Sequence, residues 1–197
     1  MRVAVLAAAL LSLAAPAHAE WQLKPFLGLK FGGQTNLVAD FDQAAGKRKT
    51  VIGASVAQIG EVLGAEIDLG YIGGYFTNTR RNVIASGVTT LTGNVVVALP
   101  RRMSEYTLRP YVVTGAGLLH ASTTTTTPGV FDGSENWPVF NWGGGVTGFL
   151  GRSFGVSWEL RQFRKIGGGA PAPGSTTDGQ SERLSFWRAN MALAIRY

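Results

Sequence analysis

The segment WRANMALAIRY (187–197) alternates with a period of two up to its final residue. One face carries Trp187, Ala189, Met191, Leu193, Ile195 and Tyr197; the other carries Arg188, Asn190, Ala192, Ala194 and Arg196. Alternation by twos is the mark of a strand, since a helix returns to the same face only every ~3.6 residues. Terminal residues of soluble domains usually fray. Here a bulky apolar face runs to the end of the segment, so something apolar must cover it.

The same pattern recurs along the chain. WQLKPFLGLKFG (21–32) sets Trp21, Leu23, Pro25, Leu27, Leu29 and Phe31 against Gln22, Lys24, Phe26, Gly28, Lys30 and Gly32. LGAEIDLGY (63–71), FNWGGGVTGFL (140–150) and GVSWELR (155–161) alternate in the same way. TVIGASVAQ (50–58), TLTGNVVVAL (90–99) and LRPYVVTGAGLLH (108–120) complete a set of eight expected strands. The connections alternate in length. Those at 59–62 and 151–153 are short, 100–107 is intermediate, and 33–49, 73–87, 121–138 and 166–183 are long and polar or glycine-rich. Short turns at one end and long loops at the other describe an up-and-down transmembrane barrel. ASTTTTTP (121–128) and GGGAPAPGSTTDGQSE (167–182) are of low complexity and are expected to be loop tips without a fold of their own.

A soluble barrel also alternates, but with its apolar face inward. Three features favour the membrane. First, the bulky residues share one face, while the other mixes glycine with small polar and charged groups. The interior of a closed eight-stranded barrel is narrow and suits the second set. Second, aromatics sit at strand ends. From Trp187 to Tyr197, at ~3.3 Å per residue and a tilt of ~40°, a strand climbs roughly 25 Å, about the height of a barrel's apolar band. Trp21 would begin the first strand on the side where Tyr197 ends the last, so the two can pair and close the ring. Closure is required because an open edge in hydrocarbon leaves backbone groups unpaired. Third, MRVAVLAAALLSLAAPAHAE opens with Arg2, continues apolar from Val3 to Ala15 with only Ser12 intervening, and offers Ala17 and Ala19 as an Ala-x-Ala site. That is a secretory leader (1–19), too short to span, whose removal after Ala19 leaves a barrel domain at 20–197.

Charge and cysteine bound the partners. A secreted chain with no cysteine cannot rely on disulfides. The net charge of +6 is spread in pairs such as Lys47-Arg48, Arg80-Arg81 and Arg101-Arg102. No basic stripe interleaved with aromatics points to nucleic acid, and anionic lipid head groups are the expected counterpart.

The terminal MALAIRY resembles the small outer-membrane β-barrels of the OmpA, OmpX and OmpW kind, whose last strand ends on an aromatic residue preceded by alternating apolar ones. LRPYVVTGAGLLH, TGNVVVALP and LGAEIDLGY are similar to segments of that family's barrel domain. The resemblance implies an all-β, eight-stranded antiparallel barrel in the outer membrane of a Gram-negative-type bacterium. It also implies that Tyr197, Ile195 and Leu193 form the signal read by the barrel assembly machinery. Full-length OmpA proteins continue into a peptidoglycan-binding domain, which this chain is expected to lack.

Several residues invite a chemical reading. Lys24, Lys30, Glu66, Asp68, Arg109, Glu159, Arg161, Arg188 and Arg196 fall on the expected inner face. They could line an ion path. The plainer reading is a network that fills the interior, because buried charges persist only when paired. Glu66, Asp68, Glu159, Arg161 and Arg188 are its expected members, and Trp21 and Trp187 the interfacial aromatics. His120 and Ser122 match a His-x-Ser pair used by some lipid-A-deacylating barrels, with Glu135 or Asp132 nearby to orient the histidine. The plainer reading is a histidine at the membrane boundary. GGG at 143–145 and 167–169 does not open a phosphate-binding helix, and no His/Cys cluster has metal spacing. Asp40, Asp42, Asp132 and Glu135 read as solvated loop acids, and Trp137 and Phe140 as anchors near a loop base.

The expectation is therefore a barrel with a structural or surface-interaction role, no catalysis, no metal and no cofactor, monomeric among outer-membrane lipids including lipopolysaccharide. The alternatives are a narrow channel for small or hydrophobic solutes and a lipid-A-modifying hydrolase using His120 and Ser122.

Overall fold

A computed structural model describes residues 19–35, 48–75, 83–104, 108–125, 133–167 and 184–197. The expected leader and the tips of the long connections lie outside these residues. The elements are β1 (Glu20–Thr35), β2 (Lys49–Ile59), β3 (Leu63–Gly73), β4 (Val83–Ala98), β5 (Leu108–Thr125), β6 (Gly133–Phe149), β7 (Phe154–Lys165) and β8 (Leu184–Arg196), with one 3₁₀ turn at Arg101–Met103. Each strand pairs antiparallel with its neighbour in sequence. The ring closes where β1 pairs with β8, Leu27 opposite Met191 and Leu23 opposite Ile195. All eight strands are in one closed barrel, the expected fold class.

The alternation sorts as a lipid-embedded barrel requires. Leu27, Leu29, Ile52, Ile67, Leu69, Leu91, Val112 and Met191 are exposed on the outside, whereas Lys24, Glu66, Asp68, Asn94, Arg161 and Arg188 are buried inside. The bulky outward faces are thus left for lipid to cover, while the inside holds the charged groups together with buried apolar clusters. Closure satisfies the backbone, which hydrocarbon cannot do.

The strands overrun their expected ends on the long-connection side. β4 begins at Val83, β5 runs to Thr125 and β6 starts at Gly133. The threonine run expected as a loop tip is strand through Thr125, with Thr123 opposite Ser86 and Thr124 opposite Ala85. Threonine is β-branched and suits a pleated surface once a partner strand supplies the ladder. The remainder of that segment, 126–128, lies outside the described residues. GGG at 143–145 is in β6, where it makes room: a Cβ on Gly145 would sit 2.7 Å from the Tyr111 hydroxyl oxygen.

Candidate functional site

The interior is layered. Its middle layer holds three cations and three carboxylates. Glu66 on β3 accepts from Arg161 Nη2 at 2.5 Å and lies 3.0 Å from Lys24 Nζ. It also accepts from Asn94 Nδ2 at 3.2 Å and Ser55 Oγ at 3.3 Å. Asp68, two residues on and on the same face, accepts from Arg188 Nη2 at 2.9 Å. Arg161 Nε lies 2.5 Å from Glu159 Oε1, while Tyr111 donates its hydroxyl to Glu159 Oε2 at 2.9 Å. Glu66, Asp68, Glu159, Arg161 and Arg188 thus meet in one cluster, which Lys24 joins. Arg161 is 1% exposed.

The topology explains this meeting. β3 and β7 stand on opposite walls of an eight-stranded ring, so the Arg161–Glu66 pair crosses the lumen. Long side chains on facing walls reach each other because the barrel is narrow. Small residues beside them keep the space open; a Cβ on Gly70 would lie 2.8 Å from Arg188 Nη1.

Toward the long connections the lumen is apolar. Phe163 and Phe186 stack at 5.0 Å between centroids, with 8° between their planes. Tyr75 meets Phe186 edge-on at 5.9 Å, and Ile72, Val88, Leu119, Val139 and Leu184 pack into the same cluster. Arg188 joins the two layers, its guanidinium 4.7 Å from the Phe26 centroid and 4.8 Å from that of Phe163. Lys30 is buried in this region, 4.2 Å from the Tyr75 ring. Sequence reasoning did not anticipate this cap. Ile72, Phe163 and Phe186 lie just past the expected strand ends, and continuing the alternation by one step would have placed them inside.

The short-turn end is closed by a smaller apolar cluster, Ala57, Ile59, Val96, Ala98, Tyr111 and Val113. Below it Glu20 pairs with Arg101 and with Arg196, the latter at 3.3 Å. Arg109 donates to the backbone oxygens of Gly60, Glu61 and Leu99 at 2.8, 2.8 and 3.0 Å. Arg109 and Arg196 therefore hold this rim and do not reach the central cluster.

On the outside, Trp21 and Tyr197 are both exposed at the short-turn end, and the Tyr197 N–H donates to Trp21 O at 3.2 Å. Leu193 is exposed beside them and Ile195 half-buried. Trp187 sits toward the other end and meets Trp142 edge-on at 5.7 Å. His120 also faces outward, with Nδ1 2.8 Å from Asn136 Oδ1. Ser122 donates to Gly87 O at 3.5 Å. Glu135 is opposite Ala121 in the ladder, on the other face of the sheet from His120, and so cannot orient it. Asp132 lies outside the described residues. Among the described residues no group of His, Cys, Asp and Glu is placed to hold a metal ion.

A model of the outer membrane protein beta-barrel domain matches residues 5–184. No curated protein matches the chain in sequence. Among solved structures, neisserial surface protein A is 11% identical over 88% of this chain and 96% of its own, with a TM-score of 0.59. A major outer membrane protein from Thermus thermophilus is 11% identical over 91% and 99%, at 0.58. The outer membrane protein OprG from Pseudomonas aeruginosa is 8% identical over 91% and 96%, at 0.54. Identities this low establish a shared fold.

Proposed function

Because the chain belongs to the outer membrane protein beta-barrel domain family and so to the bacterial outer membrane, we propose that it works as a sealed frame. In this reading it presents its four long connections to the exterior and performs no catalysis. The observation that carries the proposal is the Arg161–Glu66 pair, which crosses the lumen with both side chains buried. An ion entering from either end meets that bridge after an apolar cluster. Moving a bare ion through such a layer costs several kcal/mol.

The surface role follows from what a sealed barrel leaves available. With the lumen filled, the connections and the outer wall are the parts that can meet a partner. The assembly machinery is the expected partner of Leu193, Ile195 and Tyr197 during insertion, and the mature barrel is read as a monomer among lipids. His120 is held by Asn136 and lacks an orienting carboxylate among the described residues, which supports the non-catalytic reading.

The test is planar-bilayer conductance of the processed protein, with slowed gel migration on omission of heating as proof that the barrel is intact. Silence of an intact barrel is the expected outcome. Steady single-channel steps would replace this reading with that of a narrow channel.

A further inference from the structure

One patch of the outer wall brings a cation and two paired indoles together. On β6, β7 and β8, Phe140, Arg164 and Ser185 form one outward rung of the ladder. Two residues closer to the short-turn end on each strand, Trp142, Gln162 and Trp187 form the next outward rung. The two indoles meet edge-on at 5.7 Å, across β7. A solvent-side cation thus stands above a paired aromatic shelf, with Phe140 at its side. Arg164 is exposed, and no hydrogen bond or ion pair among the described residues engages its guanidinium. The contrast lies on the far wall, where the outward rung is Tyr71, Thr89, His120 and Asn136. That rung carries no arginine or lysine, and its histidine and asparagine satisfy each other.

The geometry points to a docking site for a phosphorylated glycolipid of the outer leaflet. Arg164 takes the phosphate, and the Trp142–Trp187 shelf takes the first part of an acyl chain. An arginine on a lipid-facing strand extends its head to the polar boundary while its stem stays among acyl chains. Its planar fork offers two parallel donors, which matches a phosphate better than a point charge does. Indoles at the boundary present an apolar face to the chain and leave an N–H for the head group. Ser185 and Gln162 stand one strand away and one rung below, as further donors. The excess of Lys and Arg (18) over Asp and Glu (12) favours an anionic lipid in general; the fork above the shelf selects a phosphate attached to acyl chains. The inference rests on the reading that the long-connection end faces the exterior.

The experiment is native mass spectrometry of the detergent-solubilised, processed barrel titrated with bis-phosphorylated lipid A, with fully dephosphorylated lipid A and with phosphatidylglycerol. The parent is expected to bind the bis-phosphorylated glycolipid in preference to the other two. Arg164→Ala should weaken that binding about fivefold, in keeping with one cation near a lipid surface. Arg164→Lys should fall between, and Arg102→Ala, at the opposite end, should match the parent. The side chain is exposed and unengaged among the described residues, so both Arg164 variants should retain slowed migration without heating. Equal binding by Arg164→Ala and parent overturns the proposal. So does equal binding of the dephosphorylated lipid, which would leave only an apolar contact, or of phosphatidylglycerol, which would leave any phospholipid as occupant. Orientation is read separately: the chain has no cysteine, so Ser134→Cys reports it by labelling of intact cells with an impermeant maleimide. Labelling supports the exterior placement; absence of labelling on a folded barrel overturns that reading and with it the choice of leaflet.

Discussion

Arg161 on β7 and Glu66 on β3 approach to 2.5 Å from opposite walls of the barrel, 95 residues apart in sequence. Each belongs to a larger set, since Arg161 also engages Glu159 and Glu66 also engages Lys24. Removing one partner leaves this buried cluster of three cations and three carboxylates with one charge uncompensated, whereas removing both keeps it balanced. Glu66→Ala and Arg161→Ala should each destabilise the barrel by about 3–5 kcal/mol, whereas replacing both with methionine should cost far less. Urea unfolding of the barrel in lipid vesicles measures both. A double variant as unstable as the singles would refute the view that burial of the charge, and not the gap, is what costs.

The stacked Phe163 and Phe186 close the lumen toward the long connections. Each phenylalanine truncated to alanine should cost about 3–5 kcal/mol through lost burial and the cavity left behind. Conductance should nevertheless stay absent in Phe163→Ala, because the Arg161–Glu66 bridge lies beneath. It should stay absent even when Arg161→Ala accompanies both phenylalanine truncations, because the Ala57, Ile59, Val96, Ala98, Tyr111 and Val113 cluster still closes the short-turn end. Channel activity in either single phenylalanine variant would show that the bridge is not a barrier.

Gly145 leaves room for the Tyr111 hydroxyl, which an added Cβ would approach to 2.7 Å. Gly145→Ala should therefore crowd both the Trp158 backbone oxygen and the Tyr111 hydroxyl, push Tyr111 off Glu159 and cost about 1–3 kcal/mol, the usual cost of overpacking. Tyr111→Phe should cost about 1.5–3 kcal/mol, since it removes the hydroxyl's hydrogen bonds to the Glu159 carboxylate and to Ser157 Oγ while the ring still fills its space. A melting midpoint unchanged in Gly145→Ala would contradict the close approach.

Tyr197 is exposed, and its only described hydrogen bond is through its backbone. Tyr197→Ala should then leave the stability of the finished barrel within about 0.5 kcal/mol of the parent, as surface changes usually do. Its yield in cells should fall severalfold, if the side chain serves recognition during assembly. Comparing refolding in vitro with outer-membrane yield separates the two. An equal loss in both would assign Tyr197 to stability alone.

His120→Ala and Ser122→Ala should leave the acylation pattern of cellular lipid A unchanged, and stability within about 0.5 kcal/mol. Mass spectra of extracted lipid A check the first. A changed pattern in either variant would restore the hydrolase.

The barrel and the sorting of its walls were legible in the sequence because alternation is a local property: each strand records its own two faces. Family membership followed from the same pattern at MALAIRY. The apolar cap was less legible, since whether Phe163 or Phe186 is inside depends on how far the ladder extends, and a partner strand decides that. The threonine run shows the same limit. Its polar composition reads as loop, yet residues 83–86 of β4 draw Thr123 to Thr125 into the sheet. For Glu66 and Arg161 the face was legible but the partner was not, because contacts across a lumen depend on where two distant strands stand around the ring. His120 shows the same division: its face is written locally, but Asn136 as neighbour and Glu135 on the other face are set by the register of β5 on β6.

The seam between β1 and β8 orders events in time. Glu20 and Arg196, joined across 176 residues, meet only after every intervening strand exists. Until then any intermediate has two raw edges and half a lumen network, so it can neither enter hydrocarbon stably nor neutralise Arg161 and Arg188. A sheet that grew strand by strand would expose both defects at each stage. Closure of the ring and completion of the lumen network are therefore one event, and β8, which supplies both the last edge and Arg188, is the strand on which both depend.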